Sequence, residues 1–123
     1  MQIILSVVVG LLLVLGQSLW KLSIKLSGVT TASTDKSELV RAGLSLILHP
    51  VFISGCIIYV VATVLYIYVI SKYNYGVTYA MIVGCSAIFA TIVSASFFGE
   101  KMYPINFAGI IVIIIGIALV IKK

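Results

Sequence analysis

The composition of the chain decides the class of protein. It has 123 residues, of which 63% are hydrophobic and only 9% are charged, and its mean hydropathy is +1.31. These values exclude an ordinary soluble domain and predict an integral membrane protein. The net charge of +5 would favour nucleic acid in a soluble protein. Here the basic residues lie in short loops and at the ends of apolar stretches, where lipid headgroups and topology explain them, so we expect no nucleic-acid partner.

Four apolar stretches follow one another along the chain. They cover residues 3–22, 51–70, 77–98 and 105–121, and each is close to the ~20 residues that a helix needs to cross ~30 Å of hydrocarbon. The prediction is an all-α membrane protein with one domain of four transmembrane helices. Because no soluble domain remains to carry catalysis, we expect a protein that is not an enzyme. Its activity should lie between helices, at a helix end or at an assembly interface.

The first stretch ends in a polar motif, GQSLWK. Gln17 and Lys21 lie four residues apart and share one helical face with Ser6. An amide inside a membrane is costly unless it finds partners, and a lysine near the end of a span either snorkels to the surface or pairs with an anion. Two interpretations stay open. Gln17 bonds a neighbouring helix beside a snorkelling Lys21, or Gln17, Ser18 and Lys21 form an anion site.

The long connection over residues 23–50 has its own helical pattern. Asp35 and Glu38 are spaced as in a capping box. Apolar positions recur behind them at helical spacing: Leu39, Gly43, Leu46 and Ile47. The pattern predicts a short amphipathic helix that lies in the membrane interface, or an early extension of the second span.

The second and third stretches combine tyrosines with small residues. Tyr59 and Tyr66 share a stripe of the second stretch, and Tyr79 lies near the start of the third. Small and hydroxyl residues follow it: Gly84, Ser86, Thr91 and Ser94. Small residues permit close helix approach and hydroxyls give sparse hydrogen bonds, so these faces are expected to line a cavity. An aromatic belt at the membrane surface also explains the tyrosines near span ends.

Metal and cofactor sites are not expected. Cys56 and Cys85 fall inside apolar stretches, and no CxxC or Cys/His spacing is present. The single histidine, His49, precedes Pro50 at a helix entrance. We interpret the cysteines as packing residues and His49 as a structural or interfacial residue.

The last stretch, FAGIIVIIIGIALV, is apolar on all sides except at two glycines. Gly109 and Gly116 lie seven residues apart on one face. With Gly84 in the third stretch, they are expected to serve helix packing or dimerisation.

Several of these features together resemble a family. The four short helices, the YAM run at 79–81, FFGEK at 97–101 and AGIIVIIIG in the closing helix resemble the small four-helix members of the drug/metabolite transporter superfamily. The resemblance covers nearly the whole chain, and two branches of the superfamily compete. Small multidrug resistance transporters carry a glutamate in the middle of the first helix, where this chain has Leu13.

The other branch consists of the subunits that flip undecaprenyl-phosphate-linked aminoarabinose. They carry Gly-Gln followed by Lys at the end of the first helix and a longer first loop, and this chain has Gly16, Gln17 and Lys21 with such a loop. A proton-coupled exporter of cations needs an acid inside the membrane. The three acids here lie in loops or at a span end: Asp35, Glu38 and Glu100. Glu100 either orients the headgroup, pairs with an amino group or forms a helix-end salt bridge.

The resemblance implies a transporter of the bacterial inner membrane that flips or exports a polyprenyl-phosphate-linked sugar or a similar anionic lipid. It also implies a homodimer or a heterodimer with a paralogue. The expected substrate site comprises Gln17, Ser18, Lys21, Tyr59, Tyr66, Tyr79 and Glu100. Two alternatives stay open, namely a small-molecule exporter of the multidrug type with an altered site and a non-transporting partner of a membrane glycosyltransferase.

Overall fold

The computed structural model describes residues 1–28 and 35–122, which form five helices. These are α1 (Gln2–Ser27), α2 (Lys36–Ile47), α3 (Pro50–Lys72), α4 (Tyr75–Phe97) and α5 (Pro104–Ile121). All but α2 are long and apolar enough to cross a membrane, and the described residues contain no strand. The prediction of an all-α, multi-pass membrane protein is confirmed. Helix α1 continues past Leu22, where the first span was expected to end, to Ser27.

Local sequence signals fix several helix ends. Pro50 and Pro104 stand in the first turns of α3 and α5, where a missing backbone N–H costs nothing. The Asn74 side chain caps α4 by accepting a hydrogen bond from the Gly76 N–H at 3.2 Å. Gly28 follows α1 with φ 61°, a left-handed conformation that favours glycine. The spanning helices therefore begin and end at residues suited to those positions.

Helix α2 is the amphipathic helix predicted in the first connection. His49 is extended (φ −69°, ψ 129°) and separates α2 from α3, so α2 is a helix of its own and not an early extension of the second span. Asp35 occupies the N-cap position but makes no side-chain capping hydrogen bond, so the capping box is not formed. Apolar side chains along α2 are exposed: Leu39, Val40, Leu44 and Ile47. The location of α2 in the membrane interface stays a prediction.

Helix α1 is the centre of the bundle and packs on both α3 and α4. Its glycines explain the close approach. A Cβ on Gly16 would lie 3.2 Å from the Gly55 carbonyl oxygen of α3, and a Cβ on Gly10 would lie 3.2 Å from the Ile82 carbonyl oxygen of α4. Small residues at these two positions let the backbones meet, as in other membrane helix pairs.

The three helices meet in a small apolar core. Val9, Val69 and Ile82 are buried together there, and partly buried side chains surround them: Leu5, Leu13, Leu65, Tyr66 and Tyr73. At the same end of the bundle, the Gln2 side-chain amide donates to the Thr78 hydroxyl at 2.9 Å, which ties the start of α1 to the start of α4. Helices α1 and α4 are therefore parallel.

Helix α5 lies at the edge of the bundle and packs on α4 alone among the described helices. Gly84 makes room for it, since a Cβ there would lie 2.7 Å from Cγ1 of Ile117. No residue of α5 is buried, and a Cβ on Gly109 or Gly116 would meet no described atom within 4 Å. Within this chain, Gly84 alone of the three glycines permits helix packing, and the dimerisation role of Gly109 and Gly116 stays a prediction.

The direction of α5 places its end near the start of α1. Because the later part of α5, at Ile117, lies beside the earlier part of α4, at Gly84, the two helices are antiparallel. The end of α5 therefore lies at the same end of the bundle as the start of α1.

Candidate functional site

A cleft of about 590 Å³ lies between α1 and α5, with α4 as its floor. It exists because α5 packs on α4 and does not reach α1. Helix α1 contributes Val14, Gln17, Ser18 and Lys21, and α4 contributes Ala90, Thr91, Val93 and Ser94. The α4–α5 connection and α5 complete it with Phe98, Glu100, Met102, Asn106, Gly109, Ile110 and Ile113. We call this space the Lys21 cleft.

An ion pair closes one end of the Lys21 cleft. Lys21 Nζ pairs with Oε1 of Glu100, and the Ser94 hydroxyl donates to Oε2 of the same carboxylate. The Lys21 ammonium also lies 4.6 Å from the centroid of the Phe98 ring, within the range of a cation–π contact. Three elements, α1, α4 and the connection after α4, therefore meet at one charged cluster.

A tight turn brings Glu100 back over the end of α4. Gly99 has φ 61°, a conformation that other residues rarely adopt, and the Glu100 N–H then donates to the Ser94 carbonyl oxygen at 3.3 Å. The Gly-Glu pair in FFGEK thus directs the carboxylate toward α1. Its partner is Lys21, 79 positions away in the chain, and not the adjacent Lys101.

The ion pair favours the charged form of Glu100. The pKa of its carboxyl is lowered, first because Lys21 donates a hydrogen bond to it and second because Ser94 does. Both side chains of the pair remain about half exposed. At neutral pH the end of the cleft therefore holds one cation and one anion within reach of solvent.

Gln17 and Ser18 extend the polar surface along α1. The Ser18 hydroxyl donates to the Val14 carbonyl oxygen at 2.7 Å, so its proton is already in use and its oxygen remains an acceptor. Gln17 is exposed, and its side chain makes no hydrogen bond to another residue of the described ranges 1–28 and 35–122. Its amide donors are therefore available to a ligand in the cleft.

The predicted tyrosines lie outside the Lys21 cleft. Tyr59 packs against Trp20 with 5.0 Å between ring centroids, in the contact between α1 and α3. Tyr66 packs against the apolar core, and Tyr79 stacks on Tyr75 at 5.8 Å near the start of α4. Of the predicted site residues, the structure brings together Gln17, Ser18, Lys21 and Glu100.

Two residues of the charged cluster were missing from the predicted site. The sequence predicts Ser94 as one of the small and hydroxyl residues that line a cavity, and contains Phe98 only as part of the FFGEK motif. A signal was present, because Thr91, Ser94 and Phe98 follow one another at spacings of three and four and so share a helical face next to Glu100. That face lines the cleft.

A second, apolar space of about 280 Å³ adjoins the Lys21 cleft. The two spaces share three residues, Ser18, Val93 and Phe98. The remaining lining residues are Leu15, Leu19, Leu22, Lys25 and Phe97. We call this space the apolar groove. A charged cleft and an apolar groove with common walls can receive the two parts of an amphipathic molecule.

The donors in the cleft suit an anion better than a metal ion. In the part of the chain that the structure describes, no group of three or more histidine, cysteine or acidic residues could hold a metal ion. Lysine, glutamine and serine side chains are common ligands of phosphate and carboxylate groups.

No protein-family model, curated protein or solved structure matches this chain. A functional proposal therefore rests on the residues of the cleft and on the helices that surround it.

Proposed function

We propose that the protein is a transporter that flips or exports an anionic lipid, most simply a polyprenyl-phosphate-linked sugar, across the bacterial inner membrane. The observation that carries the proposal is the position of Lys21, at the end of a polar cleft whose wall is shared with an apolar groove. The resemblance of the motifs to the flippase branch of the drug/metabolite transporter superfamily supports the same substrate class.

The polar residues of the Lys21 cleft bind the headgroup of the lipid. Lys21 supplies a positive charge and Gln17 supplies neutral amide donors one helical turn earlier, on the same face of α1. A lysine near the end of a membrane helix places its ammonium at the depth of lipid phosphates. A phosphate bound there forms a charge-assisted contact with Lys21 and a weaker one with Gln17.

The apolar groove binds the hydrocarbon chain of the lipid. Its walls are Leu15, Leu19, Leu22 and Val93 with the rings of Phe97 and Phe98, and its polar residues are Ser18 and Lys25. Because Ser18, Val93 and Phe98 line both the groove and the Lys21 cleft, a molecule that uses both must place its charged end beside its apolar chain. A phospholipid or polyprenyl phosphate has this form, and a soluble sugar phosphate does not.

The placement of the acids favours a lipid over a cationic drug. Asp35 and Glu38 belong to α2 and its cap, and Glu100 lies in the α4–α5 connection, so all three are outside the spanning helices. Export of a cation against a proton requires an acid inside the membrane that binds each in turn. The one carboxylate at the cleft is already paired with Lys21.

A second chain would close the open side of the Lys21 cleft. The cleft is open on one side, and Gly109, which lines it, shares with Gly116 a face of α5 where an added Cβ would meet no described atom within 4 Å. A second copy or a paralogue packed on this face would enclose a larger path across the membrane.

The test measures binding of a polyprenyl monophosphate to purified protein with Lys21→Met, Lys21→Arg or Gln17→Leu. Lys21→Met removes a charge-assisted contact of about 1.5–3 kcal/mol and should weaken binding about tenfold to a hundredfold. Gln17→Leu should weaken it less, because a neutral donor is lost, and Lys21→Arg should keep part of the affinity. Lys72→Met is the matched control, since Lys72 is a lysine of another spanning helix, α3, that also lies near an aromatic ring, that of Tyr68 on the same helix, and does not line the cleft.

Equal binding by Lys21→Met and the unaltered protein would reject the phosphate site. A second experiment separates a transporter from a non-transporting partner, by following movement of a fluorescent polyprenyl phosphate between the leaflets of vesicles that contain the protein alone. Movement above that of protein-free vesicles, lost in Lys21→Met and kept in Lys72→Met, is the expected result. Binding without movement would favour the partner alternative.

A further inference from the structure

The Glu100 carboxylate occupies the strongest anion position in the Lys21 cleft. One of its oxygens accepts from Lys21 Nζ and the other accepts from the Ser94 hydroxyl. These donors come from α1 and α4, so the carboxylate bridges the two helices. A phosphate group also presents several anionic oxygens to neighbouring donors, and the same pair of side chains can hold it in the same way.

We infer that a substrate phosphate takes the place of the Glu100 carboxylate, with Lys21 and Ser94 as its ligands. Glu100 must leave this position before the lipid binds. This inference rests on the proposed function, because it concerns the same anion site. It adds a binding residue, Ser94, and assigns Glu100 as an internal competitor of the substrate.

Charge explains why the two anions exclude each other. Lys21 has the Phe98 ring at 4.6 Å on one side and Glu100 on another. A phosphate next to the bound carboxylate would place two negative groups on one ammonium, and like charges at this range repel. A phosphate that replaces the carboxylate keeps the ammonium paired throughout. The exchange therefore leaves the Lys21 ammonium paired, and the charge that loses its partner is the Glu100 carboxylate.

The position of Glu100 in the chain permits this exchange. Glu100 lies in the connection between α4 and α5, where its carboxylate can leave by side-chain rotation without breaking a helical hydrogen bond. The backbone bond from the Glu100 N–H to the Ser94 carbonyl oxygen stays in place. About half of the side chain is exposed to solvent, so the freed carboxylate remains hydrated.

The test compares binding of a polyprenyl monophosphate by Glu100→Gln and by the unaltered protein. Glutamine keeps the size of the side chain and removes the competing charge, so binding should become about tenfold tighter. Glu100→Ala removes the amide as well and should bind at least as tightly as Glu100→Gln. Glu38→Gln is the matched control, because Glu38 is an exposed glutamate on α2, and it should bind as the unaltered protein does.

Ser94 is tested in the Glu100→Gln background, where it no longer has a carboxylate to hold. Ser94→Ala should there weaken binding about threefold to tenfold, as loss of one hydrogen bond does. Ser86→Ala is its control, because the Ser86 hydroxyl donates to the Val83 carbonyl oxygen on the same helix and does not line the cleft. An unchanged affinity in Ser94→Ala would overturn its role as a ligand.

The outcomes separate this inference from the proposed function. If Glu100→Gln and Glu100→Ala bind no more tightly than the unaltered protein while Lys21→Met loses binding, the exchange is overturned and the phosphate site stands. If neither the unaltered protein nor the Glu100 variants bind the lipid, both are overturned. Tighter binding in the two Glu100 variants, lost when Lys21→Met is added, supports the exchange.

Discussion

Lys21 has three kinds of neighbour, and together they account for a charged residue at this place. Glu100 balances its charge, Phe98 offers the face of an aromatic ring, and the open side of the cleft admits water or a ligand. A lysine that only snorkels needs none of these partners. The arrangement resembles a site more than a membrane anchor, since Glu100 and Phe98 both come from the α4–α5 connection, far from Lys21 in the chain.

The ionisation of Glu100 provides a test at the scale of one residue. Lys21, and after it Ser94, lower the pKa of the Glu100 carboxyl, so the pair contributes stability at neutral pH and loses it as pH falls through the lowered value. In Lys21→Met the titration midpoint of Glu100 should rise, because the larger of the two causes is gone. Lys72→Met should leave the midpoint unchanged.

Carbon-13 NMR of protein labelled at glutamate measures this midpoint. The chain has two glutamates, Glu38 and Glu100, so Glu38→Gln assigns the remaining carboxyl resonance to Glu100. An identical midpoint in Lys21→Met and the unaltered protein would show that Lys21 does not hold the carboxylate.

Sequence reasoning predicts the polar residues that α1 contributes to the Lys21 cleft. Gln17, Ser18 and Lys21 belong to one helix, where a periodicity of 3.6 residues decides which side chains are neighbours. The pairing of Lys21 with Glu100 spans 79 positions and depends on how α4 lies beside α1. Local spacing carries no information on that contact, so the sequence predicts Glu100 without its partner Lys21, and Ser94 without its hydrogen bond to Glu100.

At the scale of the helices, the contact between α1 and α3 depends on the absence of a side chain at Gly55. A Cβ there would lie 2.7 Å from Cδ1 of Trp20 and 3.0 Å from the Gly16 carbonyl oxygen. Trp20 is also packed between Phe52 and Tyr59, with ring centroids 5.8 and 5.0 Å away. The indole therefore has little room to move aside.

Gly55→Ala should separate α1 from α3 and lower the stability of the protein by about 1–3 kcal/mol, the usual cost of overpacking. Trp20 is the single tryptophan, so its fluorescence reports the change directly, and the emission should shift as its surroundings loosen. Gly43→Ala on α2 is the control, because a Cβ there meets nothing within 4 Å.

The measurement follows tryptophan emission and the unfolding temperature in detergent. Emission and unfolding temperature equal to those of Gly43→Ala would contradict the close contact.

The same contact explains why Tyr59 is not in the cleft. Helical spacing predicts which side of α3 carries Tyr59, but not which helix that side meets. In the structure Tyr59 packs on Trp20 of α1, and Trp20 does not line the cleft.

Considered as a whole, the described part of the molecule has the start of α1 and the end of α5 at one end of the bundle and the charged cluster at the other. Gln2 and Thr78 mark the first end, and Lys21 and Glu100 mark the second. Hydropathy predicted the number of spanning helices well because each needs a long apolar run. It left the faces of α5 unassigned, since that helix is apolar almost all round and only its contact with Gly84 shows which side meets α4.

Accessibility of introduced cysteines tests this arrangement in the membrane. In a background without Cys56 and Cys85, Lys122→Cys and Lys72→Cys should react with an impermeant thiol reagent from one side, and Lys101→Cys from the other. The reason is the alternation of helix directions from α3 to α5. If Lys122→Cys and Lys101→Cys react only from the same side, α5, the one helix between them, does not cross the membrane.

Helix α5 packs on the described part of the chain along one side only, where Ile113 and Ile117 lie against Gly84 of α4. Nothing in α1 or α3 fixes its tilt, although α5 forms one wall of the Lys21 cleft. The width of the cleft therefore depends on how α5 tilts against α4, and on the lipids or protein chains that contact the outer face of α5. A thicker bilayer or a different neighbouring chain would therefore change the shape of the cleft without changing any residue that lines it.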